Sequence, residues 1–476
     1  MRFVLSAFLM CVVYIHAGGI RGLSLKQAID MLERENIEIR ISKYDEAMKK
    51  YDQIAVEGMS FGSLDLVLTG LRSNDAGNVF GFKLQSREAT FRDFGFSDFL
   101  GGVGQALGMA GGNFATFTAI MSNPAMQNRL LDTAPDDLNY PGARNHFLTK
   151  LMYQIPLYTG GKLSEYRKIT AHLYEMSRLD TKKLRNRKIF EVKKAFYDIT
   201  LVERFIHNLS KIRNNVKRLK KIIMEMKKEG YTKKTDVLEV EARLSQVDSM
   251  LNQARLNREL AYQFLSFLLN KDVSSIRKVN LMVRAPKVKR EDIERLSIDI
   301  QKAKMGLEVS EMAVRAEKAN FLPVVGAFAE YGSADNVLWN DFGKKDFYTV
   351  GMQVKWNLFH GGTDKANLEK ARVNMLKVAS QVELAKRGIA LKVKKLQTEI
   401  RSLGYDVSSQ RTQLKLAREV YRTYEEKYKI GLASITDVLI KQATELEVLL
   451  KFLDVANKRS EKIFELQSIL DMGGRS

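Results

Sequence analysis

Apolar residues recur at intervals of three or four along two very long stretches of this chain. The first series begins at Leu163 and continues through Ile169, Val192 and Phe196 to Met226. This spacing predicts one helix with a coiled-coil-like apolar stripe, roughly 100 Å long at about 1.5 Å per residue. Proline, which breaks helix interiors, is absent from 157–285 and from 324–476. Long helices are therefore compatible with both stretches.

Glycines interrupt this helical pattern at two matching places. Gly230 ends the first long helix, and a second helix is predicted from about 236 to 270. The same order returns as a helix over about 363–429, a break at Gly431, and a helix over about 436–470. The chain is therefore predicted to contain two pairs of long helices.

Four shorter segments alternate apolar and polar residues, which predicts β-strands with two different faces. Thr349–Leu358 alternates most regularly, with Val350, Met352 and Val354 on its apolar face. The other three predicted strands are Ser63–Gly70, Thr149–Leu157 and Val324–Tyr331. Ten-residue alternating strands are typical of transmembrane β-barrels, but the half-buried strands of a soluble sandwich alternate in the same way.

The whole pattern occurs twice, at an offset of 201 residues. The matched landmarks are Gly160-Gly161 with Gly361-Gly362, Gly230 with Gly431, and the sequence Thr-Asp-Val-Leu at 235–238 with its copy at 436–439. Equal spacing between three landmarks is expected of two copies of one structural unit. The predicted fold is therefore mostly α-helical with some β-strand and contains a duplicated unit.

Each unit is predicted to contain a short helix, a β-hairpin and a pair of long helices. The first hairpin has a loop over 72–146 that is about 60 residues longer than the loop of the second. The resulting division is a signal peptide over 1–19, a first repeat over 20–270, a linker over 271–290 and a second repeat over 291–476.

The N-terminal residues have the pattern of a secretory signal peptide. Arg2 provides the initial charge, an apolar core follows over 3–15, and Ala17 is a suitable small residue near the cleavage site. The core is too short to span a membrane as a helix. Because Cys11 is the one cysteine of the chain and lies in this segment, we expect neither disulfides nor thiolate chemistry in the mature protein.

The charge of the chain is strongly basic, with 77 Lys and Arg against 56 Asp and Glu and a net charge of +21. This balance is compatible with nucleic acid, an anionic membrane, an acidic protein partner or simply a solvated helix surface. A signal peptide and alternating strands are not expected of a nucleic-acid-binding coiled coil. The histidines are scattered without ligand spacing, and no phosphate loop or nucleophile motif is present. We therefore expect no enzymatic activity, no cofactor, no metal site and no nucleic-acid partner.

Together these segments resemble the TolC family of outer-membrane efflux and secretion channels. The resemblance rests on the order and duplication of the strand ends Ile155–Tyr158 and Trp356–Phe359, the Gly-Gly pairs, and the segments Gly230–Leu238 and Tyr428–Leu439. It covers almost the whole mature chain. It implies a homotrimer in which four strands per chain form a twelve-stranded transmembrane β-barrel. The long helices would form a trimeric α-barrel across the periplasm of a Gram-negative bacterium.

The function that this resemblance implies is passive export. The protein would be the outer-membrane exit duct of a tripartite efflux pump or a type I secretion system, for small molecules or proteins. Its partners would be a periplasmic adaptor protein, an inner-membrane pump and outer-membrane lipid. The alternative is an exported periplasmic coiled-coil protein without channel activity, although such a protein has no evident use for four alternating strands.

The resemblance also assigns roles to individual residues. Asp437, Asp236 and Tyr428 match gate positions at the periplasmic tip, while Ile440 and Ala433 depart from acidic and arginine positions of the family. The helix-tip turns would be formed by Gly230 and Gly431. The strand-to-helix turns would be formed by Gly160, Gly161, Gly361 and Gly362. Aromatic girdles at the membrane interfaces would include Tyr153, Tyr158, Trp339 and Trp356. A simpler role for the two aspartates is to cap helices.

Overall fold

The computed structural model describes residues 19–338 and 342–472. Most of the predicted signal peptide and Trp339 therefore lie outside the described residues. The chain divides into two compact units. Within the described residues, we call them the helical unit, which contains 19–52, 169–311 and 372–472, and the sheet unit, which contains 53–168, 312–338 and 342–371.

The predicted long helices are confirmed. Helices α8 and α12 have 67 residues each, and α9 and α13 have 36 and 35. The helix bounds are α1 Leu25–Glu35, α2 Ile37–Gly58, α3 Ala76–Gln85, α4 Phe96–Met109, α5 Phe114–Met121, α6 Pro124–Leu131, α7 Asp136–Asn139, α8 Lys162–Lys228, α9 Lys234–Leu269, α10 Arg290–Leu296, α11 Ile298–Lys318, α12 Thr363–Lys429 and α13 Ile435–Ile469.

The helical unit is held together where the apolar stripes of its long helices meet. One core near the helix ends joins α8, α9 and α13, with the half-buried tyrosines of α12 packed against it. Its fully buried side chains include Leu209, Val216, Val240 and Val247. A second core surrounds Phe196 and includes residues of α1 and of the segment 271–281. The stripe read from the sequence is therefore the buried surface of these helices.

The sheet unit contains one antiparallel sheet with the strand order β1-β2-β3-β4. Its strands are β1 Ser63–Ser73, β2 Arg144–Tyr158, β3 Val324–Asp335 and β4 Asp346–Lys355. Their register places Leu66 opposite Leu151, Leu151 opposite Tyr331, and Tyr331 opposite Tyr348. All four predicted strands are confirmed. However, β4 ends at Lys355 rather than Leu358, because its partner strand β3 begins at Val324 and offers nothing beyond it to pair with.

The long connection predicted over 72–146 occupies residues 74–143 of the structure. Between β1 and β2 the chain forms the short helices α3–α7. These helices have side-chain caps: Asp75 accepts from the Asn78 amide, Asn113 from Ala115 and Thr116, and Asn123 from Ala125. Among the glycines inside α4, Gly102 allows close packing, since a Cβ there would lie 2.4 Å from the Leu130 side chain of α6.

Candidate functional site

One face of the sheet is apolar across all four strands and is exposed in the single chain. On β4 it presents Val350, Met352 and Val354, and Met352 is 70% exposed. The strand register aligns these side chains with the apolar residues of the other strands, namely Leu64, Leu66, Leu68, Leu151, Ile155, Val325, Ala327 and Ala329. An exposed apolar surface of this extent marks a site of contact with a protein or a membrane.

The opposite face of the sheet is more polar. Lys150 on β2 and Glu330 on β3 form an ion pair at 2.9 Å, and Asp65, Gln154 and Gln353 lie on the same face. We call these the apolar face and the polar face. An apolar outside with a polar inside is the arrangement that a water-filled membrane barrel requires.

Aromatic side chains lie at both ends of the apolar face. Near one end, the Tyr153 hydroxyl donates to the Phe61 carbonyl at 2.7 Å, and the Trp356 indole donates to the Phe321 carbonyl at 3.1 Å. Tyr158 is also exposed near this end. Along β4, Tyr348 lies near the start of the strand, away from Trp356, and is opposite Tyr331 of β3, which the register places two positions from the partner of Tyr153. Such amphipathic rings are characteristic of the two membrane interfaces.

The separation of these aromatic groups matches the thickness of an outer membrane. Tyr348 and Trp356 are eight positions apart along the chain, or roughly 26 Å at about 3.3 Å per residue. A strand tilt of about 40° would reduce this to roughly 20 Å, close to the apolar band of about 25 Å in membrane barrels.

The two glycine pairs lie at the starts of α8 and α12. Gly160, Gly161, Gly361 and Gly362 all have positive φ, from 57° to 84°. A Cβ on Gly160 would also lie 2.8 Å from the Ala319 carbonyl oxygen. Glycine adopts this backbone without steric cost, so each pair allows a sharp turn into a long helix.

Gly230 and Gly431 end α8 and α12 in the same way. Their φ angles are 79° and 77°. The following amides reach back to the last helical turn, from Tyr231 to the Met226 carbonyl and from Leu432 to the Lys427 carbonyl, both at 2.8 Å. This is the Schellman arrangement, in which glycine closes a helix. We call these two turns with the starts of α9 and α13 the helix tips.

Asp236 and Asp437 are the third residues of α9 and α13, and both complete capping boxes. The Asp437 carboxylate accepts from the Ser434 hydroxyl at 2.6 Å and from the Ser434 amide at 3.0 Å. Asp236 accepts from the Thr232 hydroxyl at 2.5 Å and the Lys233 amide at 3.2 Å. These bonds, led by those of the Ser434 and Thr232 hydroxyls, lower the pKa of both carboxyl groups. The capping role is therefore present, and the gate role stays a prediction.

Tyr428 lies between the two helix tips. Its hydroxyl is 3.5 Å from the Met226 sulfur of the first repeat. Burial, followed by the nearby charge of Asp236, raises the pKa of the Tyr428 hydroxyl. The structure thus places Tyr428 of the second predicted repeat against the end of α8 in the first.

A polar contact between the two tips was not predicted. The Thr436 hydroxyl of α13 donates to the Glu239 carboxylate of α9 at 2.8 Å. Thr436 begins the second copy of the Thr-Asp-Val-Leu segment, so the sequence repeat already indicated that this position belongs to a structural landmark. Nothing in the sequence indicated Glu239 as its partner.

Two features are absent from the described residues. No helix within 19–338 and 342–472 is long and apolar enough to cross a membrane. In the same residues, no group of three or more His, Cys, Asp and Glu side chains is arranged to hold a metal ion.

Solved structures show which proteins share this fold. The chain superimposes on CusC with a TM-score of 0.73 at 13% identity, over 94% of this chain and 91% of that one. The CmeC outer membrane channel of Campylobacter jejuni gives 0.71 at 14% identity, over 94% and 86%. The open state of the MtrE outer membrane channel of Neisseria gonorrhoeae gives 0.72 at 15% identity, over 94% and 89%.

Sequence comparison finds a family model that matches part of the chain. No curated protein sequence matches the chain significantly. Residues 291–471, which make up nearly all of the predicted second repeat, match the family model described as outer membrane efflux protein. Residues 291–471 are therefore similar to the outer membrane efflux protein family, and the whole chain shares the fold of CusC, CmeC and MtrE, in agreement with the sequence resemblance.

Proposed function

We propose that this chain is the outer-membrane exit duct of a tripartite efflux pump or type I secretion system, working as a homotrimer. The observation that carries this proposal is the sheet, which combines one exposed apolar face, one polar face and two open edges. In water, an exposed apolar face of this size favours association with another apolar surface. In an outer membrane, lipid covers it.

The open edges give the reason for the homotrimer. Strands β1 and β4, of 11 and 10 residues, form the two edges of the sheet. An open edge in lipid leaves backbone amides without partners, so membrane sheets close into barrels. Four strands are fewer than the eight of the smallest such barrels. Three chains, with β1 of one paired to β4 of the next, supply twelve strands.

The helices support the same proposal. Each chain supplies four long helices with apolar stripes, so three chains supply twelve, enough for the periplasmic tube that the family uses. Such a tube is a passive conduit, and the energy for export comes from the inner-membrane pump. The proposal therefore includes no catalytic role, no cofactor and no nucleic-acid partner.

The helix tips are the proposed contact for the periplasmic adaptor. They expose large apolar side chains at Tyr231, Ile430 and Leu432, each more than two-thirds exposed. The part of α8 that leads to the first tip is basic, since Lys211–Lys228 contains eight basic residues and one acidic residue. Exposed apolar groups rimmed by charge are typical of protein interaction sites. We expect the adaptor surface that meets them to be apolar at its centre and acidic around it.

Asp437 is the proposed gate residue. Three copies facing one axis would form a ring that favours cations and binds multivalent blockers. With Ile440 in place of a second acidic ring, this entrance would carry fewer charges than that of family members with both rings. The Thr436–Glu239 contact is the proposed link that holds the tips of one chain together.

Fractionation and conductance test the function together. We expect the mature protein in the outer membrane of Gram-negative cells and, after purification, ion conductance across planar lipid bilayers. Recovery from the soluble periplasm, without conductance in bilayers, would contradict the proposal and favour an exported coiled-coil protein.

A further inference from the structure

The insertion between β1 and β2, residues 74–143, has an unusual surface. Residues 99–128 contain no Asp, Glu, Lys or Arg. Helices α4 and α5 also expose large apolar side chains, and Phe114 is 77% exposed. The other large apolar side chains exposed in this stretch are Leu100, Leu107 and Met109. Such a surface requires a partner, because leaving it in water is unfavourable.

The insertion is anchored on the polar face of the sheet. Strict alternation along β2 places His146 on the same face as Lys150. The Phe82 ring of α3 stacks on the His146 ring at 4.2 Å, with 7° between the planes. Both side chains are buried, as is Ala334 on the same face of β3. Helix α3 therefore covers the loop end of the polar face.

A network of charges fixes this anchor to three strand ends. Glu88, just after α3, accepts from Arg144 at the start of β2 and from Lys345 just before β4. Lys345 also contacts Asp335, the last residue of β3, at 2.7 Å. Arg144 donates to the Ser86 hydroxyl at 2.9 Å. Interlocked, partly buried charges of this kind hold a single geometry, since breaking one contact leaves others without a partner.

We propose that the insertion is a lid over the extracellular exit of the channel, in which α4 and α5 pack against the same helices of the two neighbouring copies. This inference rests on the proposed function, because it takes the polar face as the lumen lining. An anchor on that face directs the insertion toward the channel axis, where three copies meet. Lipid is a poor occupant for α4 and α5, because the face that would contact lipid is the opposite one.

Cross-linking tests the contact between copies. The mature chain has no cysteine, so Phe114→Cys is a single reporter. We expect a short bifunctional maleimide to join Phe114→Cys chains in detergent-purified trimers. The matched control, Val350→Cys on the apolar face, should give no product. If no cross-linked product forms between Phe114→Cys chains in a particle that still has the mass of a trimer, the lid proposal is overturned and the proposed function is not affected.

Labelling in intact cells tests whether the lid closes the exit. Gln154→Cys lies on the polar face below the insertion, and Gly343→Cys lies in the exposed second hairpin loop. A bulky maleimide added outside should label Gly343→Cys in every background. It should label Gln154→Cys only when residues 74–143 are replaced by the short loop 336–345. Equal labelling of Gln154→Cys with and without the insertion would refute the lid.

A second variant covers the case in which the shortened chain does not assemble. The double substitution Phe82→Ala and Glu88→Gln keeps the insertion but removes its ring stack and its central charge. We expect this variant to gain labelling of Gln154→Cys relative to the parent. Unchanged protection in an assembled trimer would contradict the anchor described above.

Discussion

Arginine placed at the middle of the apolar face gives the sharpest single test of the membrane assignment. Met352 lies midway between Tyr348 and Trp356 on β4 and is 70% exposed in the single chain. If lipid covers this face, Met352→Arg should cost about 2–4 kcal/mol per chain, the usual value for arginine on a lipid-facing strand at the bilayer midplane. That cost corresponds to roughly a 30- to 900-fold change in the unfolding equilibrium.

A solvated sheet predicts a different result. Substitution of a side chain that is mostly in water usually changes stability by about 0.5 kcal/mol or less. The cost in stability that is expected for Met352→Arg therefore differs several-fold between the membrane account and the solvated account. The neighbouring substitution Gln353→Arg is the matched control, because alternation places Gln353 on the polar face of the same strand. We expect little loss of stability from it under either account.

The assay is urea unfolding of protein refolded into lipid vesicles, with the free energy of unfolding compared among the variants. Depth provides a further control, since Tyr348→Arg near the membrane interface should cost only about 0–1 kcal/mol. If Met352→Arg and Gln353→Arg have the same free energy of unfolding, the reasoning from the two faces is wrong.

Four further predictions concern the helix tips. Asp437→Asn should weaken block of the conductance by multivalent cations, measured in planar bilayers, and an unchanged block would remove Asp437 from the gate. Because the pKa of the Asp437 carboxyl is lowered in the folded state, its ionised form stabilises the fold at pH values above the ordinary pKa of 3.8, and this stabilisation should disappear as the pH falls through the lowered pKa. In that acidic range, hydrogen exchange at the start of α13 should rise in the parent protein and should rise less in Asp437→Asn. Gly431→Ala should destabilise the tip by about 1–2 kcal/mol, because alanine is strained at positive φ; thermal unfolding should show it, with Gly388→Ala inside α12 as the control. Thr436→Val removes the contact with Glu239 and should raise the open probability of the channel, whereas an unchanged open probability would leave the contact without a gating role.

The long helices and the strands could be predicted because burial imposes its period on the sequence. Val192 and Phe196, one turn apart on the apolar stripe, are both fully buried in the helical unit. Met352 and Gln353, adjacent on β4, lie on opposite faces of the sheet. Duplication made the pattern easier to recognise, since Gly230 and Gly431 occupy equivalent positions with nearly equal φ.

The insertion was harder to predict because its helices follow local signals. Helices α5 and α6 have eight residues each, too few for an apolar period to stand out. Their caps, Asn113 and the pair Asn123-Pro124, were visible in the sequence and were the available signal. The contacts of Glu88 with Lys345 and of Thr436 with Glu239 join residues about 200 or more positions apart. Such partners are brought together by the fold, and neither periodicity nor spacing encodes them.

Native mass of the protein extracted by mild detergent from isolated outer membranes tests the central claim most directly. The claim is that β1 and β4, the open edges of one sheet, pair with the edges of two other copies. We expect a particle that contains three mature chains and no stable monomer. A folded monomer would show that the edges are not closed by copies of this chain, and it would contradict both the barrel and the channel.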